Sequence, residues 1–272
     1  MTEAASGPSY ADPAALPDDV RADVRDLILS MADSKRLLGM RYAEWTLGAP
    51  VIEAGIACAS MAQDEWGHAR LLYALLKDFG EDVGALEHGR EPAQYASIPA
   101  LDEAADTWAD LLAINAAVDG ALSVALEALA QSSYEPLRQR AAKLLDEERF
   151  HAAHAVAWAR RFAEGSDEAR KALAEALKGA MPSAYAWFGP ADEVEARLRT
   201  AGIVPGDRQS ARSRLSERLE VIMGLLGIEP PAFGEGEWAG WDAARRRLGE
   251  GHPDAATIEQ IRGDKNRAFL MD

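Results

Sequence analysis

Asp64-Glu65-Trp66-Gly67-His68 and Glu147-Glu148-Arg149-Phe150-His151 repeat one idea about eighty positions apart: an acid, then a Glu, then a His three residues after that Glu. On an α-helix, positions i and i+3 share a face, so each stretch turns one carboxylate and one imidazole toward the same spot. Each is half of a metal site. Acids make up 45 of the 272 residues, so one acid three positions ahead of a His is expected by chance. Two adjacent acids in that place, at two of the 5 His, are not.

Around both stretches Ala, Leu, Glu and Arg dominate and β-branched runs with period-two alternation are scarce, so the chain is predicted to be all-α. After a flexible N-terminus over 1–17, with Pro8, Pro13 and Pro17, a first helix is predicted over about 18–47. Gly48-Ala49-Pro50 stops it, and Pro50 suits the first turn of a second helix reaching about Phe79. A loop with Gly84, Gly89, Pro92 and Pro99 is long enough to cross over. A third helix is predicted over about 102–131, and Ser132-Ser133 caps a fourth over about 134–164. Two long hairpins joined by a crossover describe a ferritin-like four-helix bundle over 18–165. Shorter helices at about 166–180, 192–200, 207–227 and 255–270 make a helical extension over 166–272, packed on the bundle. Pro230-Pro231 and Gly234-Glu235-Gly236 form an irregular connection within it.

Composition removes several classes of function. A formal charge of −16 argues against nucleic acid or an anionic membrane surface, since both need clustered Lys and Arg. The one basic cluster, Arg245-Arg246-Arg247, sits among acids and reads as a solvated helix face. No apolar run is read as approaching the length that crosses a bilayer. The start, with Asp12, Asp18 and Asp19, lacks the basic and apolar segments of a signal peptide. Cys58 is alone, which excludes an intrachain disulfide framework and suits a reducing cytoplasm, the expected location.

The height of each candidate ligand in the bundle can be counted, because residues equidistant from the turn of an antiparallel hairpin stand side by side. In the second hairpin, with its turn near Ser132-Ser133, Asp119 is level with Glu148. Glu127 on the same helix is off by about 12 Å and reads as a surface charge. In the first hairpin the position level with Glu65 falls at Asp33. Glu44 lies about 16 Å too near the turn and reads as a salt-bridge partner. Lys35 and Arg36 crowd the same height, and a cation aimed into the bundle could replace a metal charge.

Asp33, Glu65, Asp119 and Glu148 in one core would bring together four carboxylates, which burial makes costly. Two imidazoles cannot neutralise them, and two metal ions can. The expected metal ligands are therefore Asp33, Glu65, His68, Asp119, Glu148 and His151, with Glu65 and Glu148 as the catalytic pair. Histidine and carboxylate without thiolate favour two iron ions, or manganese, over a structural zinc. Asp64 and Glu147 are expected to hold the outer N–H groups of the imidazoles. The competing reading is a set of buried ion pairs. Trp66, Tyr73, Phe150 and Trp158, at helical spacing, read as core, and His154 as a neighbour of the site.

These residues resemble a known family, the large subunits of bacterial phenylacetyl-CoA epoxidase. The similar stretches are Ala32-Asp33-Ser34-Lys35-Arg36-Leu37-Leu38-Gly39, Arg41-Tyr42-Ala43-Glu44-Trp45, Gly48-Ala49-Pro50, Ala62 to Arg70, Val118-Asp119-Gly120-Ala121 and Glu147 to His151, with Trp187-Phe188 downstream. The opening hairpin is similar to the C-type partner, which has typically lost its metal site. The two Glu-x-x-His stretches are similar to the A-type catalytic partner. In this chain Arg36 falls where the A-type has its first-helix Glu.

The leading expectation is a di-iron monooxygenase that inserts oxygen into an organic substrate. The resemblance implies an aromatic acyl-CoA such as phenylacetyl-CoA, a reductase and related oxygenase subunits as partners, and a homodimer or an A/C-type heterodimer. No flavin or iron–sulfur motif is present, so electrons would come from another protein. The alternatives are a non-catalytic C-type structural subunit whose remnant site is filled by Lys35 or Arg36, and a ferritin-like metal- or peroxide-handling protein.

Overall fold

A computed structural model of the chain describes residues 8–232 and 238–269. Residues 1–7, the Gly234-Glu235-Gly236 connection and Leu270 lie outside the described residues. Helices α1 (Asp18–Glu44) and α2 (Ile52–Leu76) form the first hairpin. α1 stops short of Leu47 because the Trp45 and Thr46 N–H groups close tighter turns onto the carbonyls of Tyr42 and Ala43. Leu47 is left 98% exposed. Gly55 lets the opening turn of α2 close on this loop, since a Cβ there would stand 2.4 Å from the Thr46 carbonyl oxygen.

The crossover contains α3 (Val83–His88) and short 3₁₀ turns at Pro92–Gln94 and Pro99–Leu101. The third bundle helix is a composite of α4 (Trp108–Ala113), a π-helical segment (Ile114–Asp119) and α5 (Gly120–Leu129). It begins at Trp108 rather than near Asp102 because Thr107 and Asp110 cap each other's backbone N–H groups. The fourth helix is α6 (Glu135–Ala163). The described part of the expected flexible N-terminus is tied down at the second hairpin: the Tyr10 N–H donates to the Ser133 carbonyl at 2.8 Å, and the Glu135 N–H to that of Tyr10 at 2.9 Å.

Beyond the bundle, α7 (Asp167–Ala186) runs through Pro182, past its predicted end near Ala180, and packs on α4 and the π segment. α8 (Glu193–Thr200) contacts α1, and α9 (Arg208–Leu226) lies on α5 and α6. An unpredicted two-stranded ribbon, β1 (Trp241–Asp242) and β2 (Arg247–Leu248), precedes α10 (Ala255–Arg262). The architecture is an all-α ferritin-like bundle with helices packed outside it.

Two expectations are corrected by the fold. The stretch Trp108–Leu129 is long and apolar enough to cross a bilayer by length and composition, whereas no such run is expected from the sequence. Its apolar window is 94% buried inside the protein, which accounts for its composition without a membrane. Trp66 and Phe150, expected in the core, are 38% and 73% exposed, whereas Tyr73 is buried. Glu65, His68, Glu148 and His151 claim the inward faces of the same helices, and that turns Trp66 and Phe150 outward.

Candidate metal centre

Along α1 the residues Ile28, Met31, Lys35, Leu38 and Tyr42 recur at alternating steps of three and four, the spacing of a bundle's inward seam, and all are fully buried. Lys35 thus enters the core as part of an apolar stripe. Its ammonium donates to Glu65 Oε1 at 2.9 Å, Asp119 Oδ1 at 2.9 Å and Glu148 Oε1 at 2.5 Å. An ammonium has three N–H donors, and each here finds a carboxylate from a different helix. Burial works against a charge on Lys35, but Asp119, Glu148 and Glu65 outweigh it and hold its pKa well above the ordinary lysine value.

The two repeated stretches meet as expected, with an exchange. His151 Nδ1 lies 2.8 Å from Asp119 Oδ2 and 3.3 Å from Glu65 Oε1. His68 Nδ1 lies 3.2 Å from Glu148 Oε1 and 3.6 Å from Glu65 Oε1, outside hydrogen-bonding geometry. The outer nitrogens are held crosswise: His68 Nε2 meets Glu147 Oε2 at 2.7 Å, and His151 Nε2 meets Asp64 Oδ2 at 3.3 Å. Each stretch therefore supplies the acid that fixes the other's imidazole, tying α2 to α6. Tyr42 Oη donates to Asp119 Oδ2 at 2.8 Å and accepts from Asn115 Nδ2 at 2.8 Å, and Ser123 Oγ donates to Glu148 Oε2 at 2.5 Å. The π segment carries Asn115 and Asp119 into this network, a common place for such a segment in a functional helix. Of these positioning residues, Tyr42 lies in one of the family-like stretches but is not read there for this role, and Asn115 and Ser123 carry no motif that sequence reading could have singled out.

Asp33 is not part of the cluster, and its assignment as a ligand is corrected. It lies about 200° around α1 from Lys35 and faces the crossover. There its carboxylate is gripped by the Arg90 guanidinium, by Tyr73 Oη at 2.5 Å and by the Ala96 N–H at 2.8 Å. Arg36 also turns away, donating to the carbonyls of Glu87 at 2.6 Å and Ile261 at 2.9 Å. Glu44 pairs with Arg41 at 2.6 Å, in the salt-bridge role read for it, and Glu127, read as a surface charge, pairs with Arg218 at 3.1 Å. His154 holds Asn115 Oδ1 at 3.1 Å, and burial followed by the nearby His151 pushes its pKa down to about 4.

The charges balance inside the protein. Glu65, Asp119 and Glu148 face Lys35, His68 and His151, three acids against three groups able to carry a proton. Burial opposes a charge on His68, but Glu148 and Glu65 prevail and raise its pKa to about 9; on His151, Asp119 and Glu65 raise it to about 11. Burial works against ionisation of Asp119 and Glu65, yet Lys35 lowers both, Asp119 well below the ordinary value. Glu148 goes the other way, raised by burial and by Asp119.

These shifts carry a pH signature. A histidine whose folded pKa exceeds its unfolded value of about 6.5 contributes stability that is fully present below that value and lost as the pH rises through the folded one. Unfolding free energy should therefore decline from about pH 6.5 through about 9 for His68 and on toward about 11 for His151. Asp119 and Glu65 act on the acid side, where their contribution is lost as the pH falls through their lowered values. Urea unfolding across this range checks it: a free energy that stays level up to about pH 10 would contradict the charged imidazoles.

Does the donor set fit a metal? Glu65, Asp119, Glu148 and His151 each offer an atom within 4.8 Å of the others. Glu65 Oε2 and His68 Nδ1 are buried without a hydrogen-bond partner. The donors suit iron or manganese chemically, and they could hold a metal ion. The same carboxylate oxygens, however, already bind one cation. Lys35 stands among them, so a metal ion could enter only if the ammonium lost its proton or withdrew. The cavity that Asp119 and His151 line has a volume of about 30 Å³. That is room for a water or two, against about 300–1,000 Å³ in small-molecule sites.

A ferritin-like bundle with a buried cluster of carboxylates and histidines from facing helices defines a class of helical proteins whose core could hold a metal ion. Within that class, the chain belongs to the phenylacetic acid catabolic protein family, whose model matches residues 1–253. It is 28% identical over 226 residues to the A-type subunit of 1,2-phenylacetyl-CoA epoxidase from Escherichia coli (strain K12), covering 79% of this chain and 71% of that one. It is also 28% identical over 200 residues to the C-type subunit of the same enzyme, covering 72% of this chain and 79% of that one. The similarity to two subunits of one enzyme agrees with the two-sided resemblance in the sequence.

Proposed function

We propose that this chain is a non-catalytic subunit of an oxygenase complex of the phenylacetyl-CoA epoxidase type, with Lys35 in place of the metal. The observation that carries this reading is the Lys35 ammonium bound to Glu65, Asp119 and Glu148 at the centre of the bundle. The near-absence of a cavity beside Asp119 and His151 supports it, since an aromatic acyl group needs far more room. On this reading a related subunit performs the chemistry on the acyl-CoA, a reductase supplies the electrons, and this chain gives the complex its shape. The buried ion pairs keep the four helices in one register, a role documented for buried polar groups in other bundles.

A second reading is favoured by Glu65 Oε2 and His68 Nδ1, the two unpartnered donors: a metal-dependent oxygenase in which Lys35 yields its place. Bound there, a metal would supply oxygen activation, held by Glu65, Asp119, Glu148 and His151. Metal content separates the two. Purified chain given Fe(II) without oxygen, desalted and analysed by mass spectrometry, is expected to retain far less than one iron per chain. Two tightly held irons, lost on Glu65→Ala plus Glu148→Ala, would establish the di-iron oxygenase instead.

A further inference from the structure

A second group of buried charges lies apart from the centre, and this one does not balance. A cavity of about 300 Å³ opens between α1, the second half of α5, the Trp187-Phe188 segment and the first turn of α9. Its apolar wall includes Leu27, Val124, Leu129 and Phe188, and its charged lining is Arg208, Arg214 and Arg246 with a single acid, Asp207. Asp207 is already engaged, capping α9 by accepting from the Ser210 N–H at 2.7 Å. In a chain of net charge −16, a pocket lined three to one by arginine is a local inversion.

Two of these arginines are nine-tenths buried, Arg208 at 8% and Arg246 at 4% exposure. Arg246 stacks over Trp187 and donates through Nη2 to the carbonyls of Trp187 and Phe188, both at 2.9 Å, but its Nε has no partner. Arg208 Nε is likewise unpartnered. Glu195, the acid whose charge acts most strongly on Arg208, spends Oε1 on the Arg208 backbone N–H at 2.7 Å. Burial lowers the pKa of both guanidiniums, and for Arg246 the charge of Arg208 lowers it further. Arg246 is also the one non-glycine among the described residues with a left-handed backbone, at φ 52°. Acids act on both without touching them, Glu195, Asp192 and Asp23 on Arg208 and Asp192 and Asp26 on Arg246, but among the described residues neither guanidinium forms an ion pair, and both arginines line the cavity.

We propose that this cavity binds a small amphipathic anion, its carboxylate or phosphate head on Arg208 and Arg246 and its apolar body against Val124, Leu129 and Phe188. A guanidinium suits either head, because its planar fork of donors matches two oxygens at once. At about 300 Å³ the cavity is at the lower limit of small-molecule sites, which restricts the body to a short chain or a single ring. The site uses none of the residues of the lysine-filled centre, so it stands whichever reading of that centre holds.

Calorimetry and thermal unfolding of the full chain with four probes test it: hexanoate, hexyl phosphate, hexanol and inorganic phosphate. At least one of the two amphipathic anions is expected to bind at one site per chain, about tenfold or more tighter than hexanol or inorganic phosphate. The preferred head group tells a carboxylate ligand from a phosphate one. Arg208→Met should weaken that binding about tenfold or more while raising the melting temperature of the ligand-free protein, since it removes an unpaired buried charge. A merely structural arginine would give the opposite change in melting temperature. Ala128→Phe fills the same cavity and keeps both arginines, and should abolish binding even if Arg208→Met does not fold. Hexanol binding as tightly as both anions, no binding by either anion, or unchanged affinity in Ala128→Phe would overturn the proposal.

Discussion

Lys35→Ala is expected to destabilise the chain by about 3–5 kcal/mol in the presence of a chelator, the usual cost of removing one partner from a buried ion network. The variant leaves Glu65, Asp119 and Glu148 in a dry core with only His68 and His151 to offset them. It also opens a space lined by carboxylate oxygens and imidazole nitrogens, so added Mn(II) or anaerobic Fe(II) should restore much of the loss by binding the folded state alone. Chemical denaturation with and without metal reads both effects. A variant as stable as the parent under chelation, or one indifferent to metal, would mean that Lys35 does not take the metal's place.

Asp33→Ala should cost a similar amount, about 3–5 kcal/mol, by another route. It strands the buried Arg90 guanidinium and removes the acceptor for Tyr73 Oη and the Ala96 N–H, the contacts that pin the crossover to α1. Arg90→Met added to Asp33→Ala should recover part of the loss, because the stranded charge goes with it. The decisive comparison is metal binding. In the Lys35→Ala background, Asp33→Asn should leave metal affinity unchanged, whereas loss of affinity would reinstate Asp33 as a ligand.

Both predictions come from the place where counting along the sequence succeeded in one dimension and failed in another. Counting from the hairpin turns located the height of Asp119 and Glu148 correctly, because the rise per residue of a helix is constant. The same count put Asp33 level with Glu65, yet height says nothing of direction around the axis. A two-residue difference is more than half a turn, and Lys35 rather than Asp33 falls in line with Met31, Leu38 and Tyr42. That seam was present in the sequence. It was hidden because α1 is buried on nearly every side, so apolar residues surround Asp33 as fully as they surround Lys35.

By itself the sequence determined the helical class, the two hairpins with their crossover, and the meeting of both Glu-x-x-His stretches, since periodicity, turn residues and hairpin counting are local properties of the chain. Only the tertiary structure decided which cation the acids receive. A lysine side chain is long and flexible enough to reach any of several neighbours, and its partners lie on three other helices. The crosswise grip of Glu147 on His68 and Asp64 on His151, and the unmatched charges of Arg208 and Arg246, are likewise products of packing between distant segments. Charge balance in a core is a sum over everything that is buried together, and the linear order of residues does not contain that sum.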